Sequence, residues 1–410
     1  MQLRDYQKEI LNQAYQIIQK YRIVYLAMEV RTGKTITALS LAKVLNCARV
    51  LFITKKKAIS SIESDYEKSS YNFSLTVRNY ESLHKLSTHQ FDLVIIDEAH
   101  SLGAYPKPSL QTKRIKEIVG NKMVVLLSGT PSPESYSQLY HQFWISDSSP
   151  FKNYKNFYRW SDEFVIKKMK VIGGYRINDY SKARKDLIDA YVSKYFITYT
   201  QKEAGFEANV NETVKYIPIN PHIYKLSDIL SKQRYFKMKD GSEIVCDTAA
   251  KLKSKLHQVY SGTVITEEGK LKVLDNSKAE FIKKEYEGRK IAIFYQFRAE
   301  GEVLKATFPN WTDITEDFNN NDDLIYISQV QSGSMGTNLS TADVIVFYNI
   351  NYSSLQYWQS RARSQHLKRK EDSQIHWIFA EDGIEKEIYK AVINKKDFTT
   401  SYFKKVWLKG

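Results

Sequence analysis

The sequence predicts an α/β protein made of two parallel-sheet lobes with helical insertions between them. Three observations carry that expectation. Short runs rich in Val, Ile and Leu alternate with helix-length segments over the first third of the chain, the pattern of strands buried on both faces and joined by crossover helices. Aromatic and basic material with helical spacing follows from about residue 142 to 202, and a second alternating series opens at Asn276. The 410 residues correspond to two or three domains at roughly 150 residues each.

In order along the chain, Ile23 to Ala27 reads as a strand and Thr35 to Leu45 as a helix. Arg49 to Thr54, Leu93 to Ile96 and Met123 to Ser128 read as further strands. The aromatic cluster from Phe143 to Trp160 reads as helical core, with stacking on nucleic-acid bases as its alternative. Val214 to Ile219 reads as a returning strand. Ile291 to Tyr295, Leu324 to Ser328 and Asp343 to Tyr348 are the strands of the second series. The expected division is 1–145 for the first lobe, 146–275 for the inserted inter-lobe material and 276–410 for the second lobe.

Composition narrows the function. With 42% hydrophobic and 26% charged residues the chain has ordinary globular usage, which excludes a disordered or collagen-like protein. Two cysteines, Cys47 and Cys246, cannot form a disulfide framework or a four-thiolate zinc site. The charged N-terminal residues and the absence of a run of ~20 apolar residues point to a soluble cytoplasmic protein with no membrane partner. Lys and Arg number 61 against 46 Asp and Glu, a surplus of +15 that favours polyanionic partners, nucleic acid first.

Val30 to Thr35 reads Val-Arg-Thr-Gly-Lys-Thr between a strand and a helix. Backbone amides at a helix start converge there on phosphate, Lys34 adds a positive charge, Gly33 permits close approach, and Thr35 offers a hydroxyl to Mg²⁺. Met28 stands where the full pattern has its first glycine. The apolar run Leu93 to Ile96 leads into Asp97-Glu98-Ala99-His100. An Asp at the end of a buried strand suits a Mg²⁺ site, and the adjacent Glu suits activation of the attacking water.

These residues resemble those of helicase superfamily 2, and within it the Swi/Snf-type DNA translocases in a compact, phage-like form. The resemblance runs from Leu3 to about Ala391 and implies two RecA-like lobes, ATP and Mg²⁺ as cofactors, and a DNA-dependent ATPase. It places Arg4, Tyr6 and Gln7 at the adenine, and Arg31, Thr32, Gly33, Lys34, Thr35 and, in the second lobe, Gly336 at the nucleotide. Thr35 and Asp97 fall to the metal. Lys55, Lys56, Arg78, Asn79 and Tyr80, with Ser332, Gly333 and Asn338 of the glycine-rich segment 332–339, fall to the nucleic acid. His100, Ser128 and Thr130 are implied to couple nucleotide state to that contact, with Ser128-Gly129-Thr130-Pro131 as the coupling segment. In the second lobe, Gln359 and Arg363 match the family's Q-x-x-x-R spacing and join Lys34, Asp97 and Glu98 as catalytic residues.

The match departs from the family at three places. His366 stands where a final arginine is expected, which leaves Arg363, Arg361 or Arg369 as the finger, or weak hydrolysis. Glu29-Val30-Arg31 replaces a glycine-rich approach to the phosphate loop, and Ile62 lies where a tryptophan is usual. The leading expectation is ATP-driven translocation on double-stranded DNA in a bacterial or phage-infected cell, at the nucleoid. True DNA or RNA unwinding, an ATP-binding clamp with weak turnover, and a restriction-system motor subunit are the alternatives.

Overall fold

The structure, a computed structural model, describes residues 3–86, 90–172, 175–205, 210–333, 339, 341–353, 357 and 372–394. It divides into two units, Met1–Gly205 and Phe206–Gly410. Each contains one six-stranded sheet, and every pairing within those two sheets is parallel. The α/β reading with two parallel-sheet lobes therefore holds.

The first unit runs α1 (Asp5–Tyr21), β1 (Ile23–Met28), α2 (Lys34–Val44), β2 (Arg49–Thr54), α3 (Ile59–Glu67), β3 (Ser74–Asn79), β4 (Leu93–Ile96), α4 (Leu110–Val119), β5 (Met123–Leu127) and α5 (Leu139–Trp144). It continues with α6 (Phe157–Phe164), β6 (Lys168–Ile172), β7 (Tyr175–Asp179), α7 (Lys185–Val192) and β8 (Phe196–Tyr199). The sheet order is β3-β2-β4-β5-β1-β8. Side chains alternate across the sheet: Ile23 and Tyr25 of β1 enter one apolar core, Val24, Leu26 and Met28 the other. Because both faces are covered, these strands are continuous apolar runs and can be recognised as such in the sequence.

The segment read as helical between 142 and 202 needs correction: it also holds the antiparallel hairpin β6–β7 and the sheet strand β8. In β6 the sequence Lys-Met-Lys-Val-Ile gives no buried-strand signature, because lysine interrupts the apolar run. The aromatic cluster is core rather than a base-stacking surface. Phe143, Phe157, Trp160 and Phe164 are all buried on one face of the sheet.

The second unit runs β9 (Val210–Ile217), α8 (Pro221–Gln233), β10 (Tyr235–Lys237), β11 (Glu243–Val245), α9 (Ala249–Tyr260), β12 (Thr263–Ile265), β13 (Leu271–Val273), α10 (Ser277–Glu285), β14 (Ile291–Tyr295) and α11 (Arg298–Thr307). Then come β15 (Trp311–Thr312), α12 (Thr315–Asn320), β16 (Ile325–Gln329), α13 (Val330–Gly333), β17 (Val344–Phe347), β18 (Ser373–Ala380) and α14 (Glu385–Ile393). The sheet order is β15-β16-β14-β17-β18-β9. Residues 146–205 thus fold with the first unit and 206–275 with the second. Strand β18 escapes the sequence reading because Ser373, Gln374 and His376 break its apolar run. His376 is accommodated by the Tyr286 hydroxyl, 2.6 Å from its Nδ1.

No described helix is long and apolar enough to cross a membrane. Trp160 is fully buried, and the rings of Tyr140, Phe151, Phe157 and Phe164 lie 5.0–5.5 Å from its own. Its indole N–H has no hydrogen-bond partner among the described residues. Trp160→Ala is expected to cost about 3–5 kcal/mol, and Trp160→Phe much less, since it keeps a ring and removes an unpaired donor. Thermal midpoints of the full chain check the difference; equal losses would show that the ring packing is not what holds this core.

Candidate functional site

The first unit gathers its chemistry where β1, β2, β4 and β5 end, the edge at which parallel sheets bind ligands. After Met28 the chain turns through a loop in which Arg31 has φ 63° and Gly33 φ 85°, and α2 begins at Lys34. Gly33 is required twice over. Its backbone is left-handed, and a Cβ there would lie 2.1 Å from Gln7 Nε2. Gln7 is buried; its Oε1 accepts the Arg4 N–H at 2.9 Å, and its Nε2 reaches the carbonyls of Thr32 and Gly33 at 3.5 Å. The Tyr6 hydroxyl donates to the Thr32 carbonyl at 3.0 Å and accepts from the exposed Arg4 guanidinium at 3.0 Å. The start of α1 and the phosphate loop therefore form one hydrogen-bonded body.

The Lys34 ammonium donates to the carbonyls of Met28 and Glu29 at 2.8 and 2.9 Å. Thr32 is buried and its hydroxyl donates to the Glu29 carbonyl at 2.8 Å. Thr35 stands half-buried in the first turn of α2, where amide groups and the helix dipole favour an anion.

Asp97 follows β4. Its Oδ2 accepts the Thr54 hydroxyl at 2.9 Å and its Oδ1 accepts the Glu98 N–H at 3.0 Å. Burial is the chief reason its carboxyl is pushed up to about 6; the Glu98 charge acts in the same direction, and Lys34 opposes it. Glu98 has φ 51°, a left-handed non-glycine conformation of the kind that marks functional sites. His100 is buried, with Nδ1 3.3 Å from Glu98 Oε2 and 3.0 Å from Ser128 Oγ. Burial, then the nearby Lys55 charge, lowers its pKa to about 4, so at neutral pH it is an uncharged bridge rather than half of an ion pair. The Thr130 N–H donates to Ser128 Oγ at 3.1 Å. His100 thus stands between Glu98 and Ser128, and Ser128 is bonded on to Thr130. Gly129 lies against the phosphate loop, its added Cβ falling 3.4 Å from the Met28 carbonyl oxygen.

The residues assigned to nucleic acid divide. Lys55 is half-buried at the end of β2, and Lys56 and Arg78 are exposed. Arg78 also donates to the Val77 carbonyl, and Asn79 to Glu81 Oε2 at 2.7 Å. Tyr80 corrects the expectation: it is buried, and its hydroxyl donates to the Asp97 carbonyl, so it steadies the acidic turn and cannot meet a phosphate. Ile62, where a tryptophan is usual, is buried in the core beneath α2.

Sequence reasoning missed the far side of the loop. Glu29 N–H donates to the Tyr199 carbonyl, Gln201 N–H donates to Glu29 Oε2 at 2.7 Å, and Gln201 Nε2 donates to the Val30 carbonyl at 3.0 Å. Tyr199 stacks on Tyr6 with centroids 4.7 Å apart. No local signal joins segments so far apart in the chain.

In the second unit Ser332 and Gly333 lie in α13, directly after β16. Gly336, Asn338, Gln359, Arg361, Arg363, His366 and Arg369 lie outside the described residues. Lys278 is buried and paired with Glu385 at 2.6 Å. Glu300 is buried too, holding the N–H groups of Gln296 and Phe297 and the side chain of Asn349, which in turn meets His257 at 2.7 Å. A 560 Å³ hollow at Lys283, Arg289 and Asp323 lies by the starts of β14 and β16, away from the end of β16 that Ser332 and Gly333 follow.

Comparison with known proteins agrees with the resemblance. The SNF2-related domain family matches residues 54–217, and the family of type III restriction enzyme res subunits matches residues 1–72. Helicase swr1 of Aspergillus fumigatus is 31% identical over 104 residues, 23% of this chain and 6% of that protein. The CHD3-type chromatin-remodeling factor CHR7 of Arabidopsis thaliana is 22% identical over 376 residues, 81% of this chain and 29% of that protein. The Sulfolobus solfataricus SWI2/SNF2 ATPase core in complex with dsDNA aligns over all of this chain and 94% of its own, with 17% identity and a TM-score of 0.43. The chain resembles Swi/Snf-type proteins of helicase superfamily 2, and it spans less than a third of the length of these curated relatives.

Two outcomes follow from the geometry. Gly33→Ala is expected to displace Gln7 and lower the thermal midpoint while abolishing nucleotide binding, which fluorescence titration with a labelled nucleotide measures. Asp97 has a folded pKa above its unfolded value of 3.8, so its ionised form destabilises the fold above pH 6 and its effect vanishes below about pH 4. Asp97→Asn, which removes this titration but leaves one acceptor for the two donors Thr54 and the Glu98 amide, should therefore flatten the dependence of stability on pH between about 4 and 6, read as thermal midpoints in calorimetric scans at stepped pH.

Proposed function

We propose that the chain is an ATP-dependent motor that hydrolyses ATP to translocate on double-stranded DNA. The observation that supports it best is the series running from Asp97 and Glu98 through His100 to Ser128 and Thr130, set beside the Gly33–Lys34 loop on one sheet edge. Such a series gives the atoms nearest the phosphates a fixed connection to a surface loop.

In this reading Arg4, Tyr6 and Gln7 hold the adenine side, with Arg31, Thr32, Gly33 and Lys34 at the phosphates and Gly336 as a further nucleotide contact. Thr35 and Asp97 fit Mg²⁺, since both offer hard oxygen atoms and the enclosed carboxylate gains from a cation. Among the described residues no group of three or more His, Cys, Asp or Glu could hold a metal ion, so the remaining positions would fall to phosphate and water, as is usual for Mg²⁺. Bound there, the ion would neutralise charge on the transferring phosphoryl group. Glu98 takes the proton of the attacking water, and neutral His100 holds Glu98 in place while passing its position to Ser128. Gln359 and Arg363 complete the catalytic set, Arg363 by stabilising charge on the γ-phosphate. Lys55, Lys56, Arg78, Asn79, Ser332, Gly333 and Asn338 contact the DNA backbone without reading sequence. The place of action is with DNA, at the nucleoid of a bacterial or phage-infected cell.

The test compares ATP hydrolysis with duplex DNA, single-stranded DNA and RNA at one salt concentration. Duplex DNA is expected to stimulate most, Lys34→Ala to remove the activity, and Glu98→Gln to lower turnover by about 10²–10⁴-fold while nucleotide binding persists. Equal stimulation by all three polymers would refute the duplex assignment. Tight ATP binding with no phosphate release under any condition would favour a clamp.

A further inference from the structure

The hairpin β6–β7 is the part of the first unit that the mechanism leaves unused. It belongs to neither six-stranded sheet: its strands pair only with each other, from Lys168 opposite Asp179 to Ile172 opposite Tyr175. An isolated two-stranded ribbon is marginal in water, and this one is fixed at its base. Val165 bridges to Ala183, and the Ile166 N–H donates to the Lys182 carbonyl at 2.9 Å. Buried Ser135 and Ser137 donate their hydroxyls to the carbonyls of Ser181 and Tyr180 at 2.7 and 2.6 Å. Those serines follow closely on Ser128-Gly129-Thr130-Pro131, the segment at the end of the Glu98–His100 series. The base of the ribbon is thus bonded to the stretch that begins four residues after that segment.

Its surface combines two unusual features. Met169 is 66% exposed, Ile177 47% and Ile166 41%, apolar side chains held in water on a projecting element. Among them stand Lys168, Arg176, Lys182 and Arg184, all exposed. Flanking Lys167 and Lys185 are tied to Asp162 and Asp189, and Lys168 faces Asp179 across the ribbon, whereas Arg176, Lys182 and Arg184 hold no acidic partner among the described residues. Lysines on a free strand edge can serve merely to prevent edge-to-edge association, but that purpose would not leave Met169 and Ile177 exposed beside them. A duplex accounts for both features, since its grooves are flanked by phosphates and offer thymine methyl groups to apolar side chains. Strands of five residues extend about 17 Å, and a two-stranded ribbon fits a major groove about 12 Å wide.

We propose that the β6–β7 ribbon is a DNA-contacting arm that enters the groove of the duplex, with Lys168, Arg176, Lys182 and Arg184 on the flanking phosphates. This rests on the duplex-DNA reading above and adds to it a surface that no motif marks. Because the base of the arm is bonded to residues 135–137, its engagement is felt at Thr130 and Ser128, so the arm contributes to stimulation of hydrolysis as well as to binding.

The experiment uses the full chain carrying Lys168→Glu, Arg176→Glu and Lys182→Glu together. Lys43→Glu, Lys68→Glu and Lys239→Glu, on α2, after α3 and between β10 and β11, make a charge-matched control. Half-maximal stimulation of ATP hydrolysis is measured against duplex DNA concentration at several salt concentrations. The arm variant is expected to need at least about tenfold more DNA, and the slope of log affinity against log salt should fall by about 2 to 3, close to 0.9 for each phosphate left without its cation. Hydrolysis without DNA should be unchanged, and a thermal midpoint near wild type shows that the fold is intact. Met169→Ala with Ile177→Ala, which leaves charge untouched, should raise the DNA requirement without altering the salt slope. If the arm variant behaves as the control does, the arm is overturned while the motor reading stands. If the unaltered chain is not stimulated by duplex DNA at all, the DNA reading itself fails.

Discussion

Holding two carboxylates at the enclosed end of a fully apolar strand is the constraint on which the first unit depends. Strand β4 is buried along its whole length and lies between β2 and β5, so the backbone delivers Asp97 and Glu98, both half-buried, to the centre of the sheet edge. Enclosure raises the Asp97 carboxyl to about 6 from an ordinary value of 3.8, so its ionised form is penalised in the folded chain. The neighbours are arranged to limit that penalty. Thr54 donates to one oxygen and the Glu98 amide to the other, Tyr80 fixes the carbonyl, and the Lys34 charge opposes the Glu98 charge. A site that keeps an ionised acid under such conditions gives up stability to do so.

The same enclosure makes His100 useful. Were it exposed it would titrate near neutrality and its bond to Ser128 would vary with pH. Burial and Lys55 keep it neutral down to about pH 4, so the bridge from Glu98 to Ser128 keeps one protonation state through the working range. Lys55 acts here from the end of β2, a position also assigned to phosphate contact. One cation can serve both ends of that relation, since a charge drawn toward a DNA phosphate would relax its pressure on His100.

Legibility in the sequence follows burial. Strands covered on both faces, such as β2, β4 and β14, are visible to within a residue because their apolar runs are nearly unbroken. Strands that lie at an edge or carry polar residues, such as β3, β7 and β18, are not, since their identity comes from partners distant in the chain. The site divides along the same line. Gly33, Lys34, Asp97 and Glu98 stand in short local patterns that announce them. Thr54, Glu29 and Gln201 act through hydrogen bonds between remote segments, which no spacing rule reports. Tyr80 is placed on the wrong side of its turn by sequence, because a tyrosine at the end of an edge strand gives no sign of whether its hydroxyl meets solvent or a backbone carbonyl.

The phosphate loop shows why a departure from a motif can be harmless at one position and forbidden at another. Arg31 occupies a left-handed backbone conformation at φ 63°, where glycine would be unstrained and arginine costs about 1 kcal/mol or somewhat more. That cost is conformational only, and the side chain it admits brings a positive charge to the loop. At Gly33 the obstacle is occupied space, because a Cβ would have to share volume with the Gln7 amide. Gln7 cannot retreat without releasing the carbonyls of Thr32 and Gly33 that it holds. The loop therefore tolerates a side chain wherever only the backbone angle objects, and keeps glycine where the start of α1 closes over it.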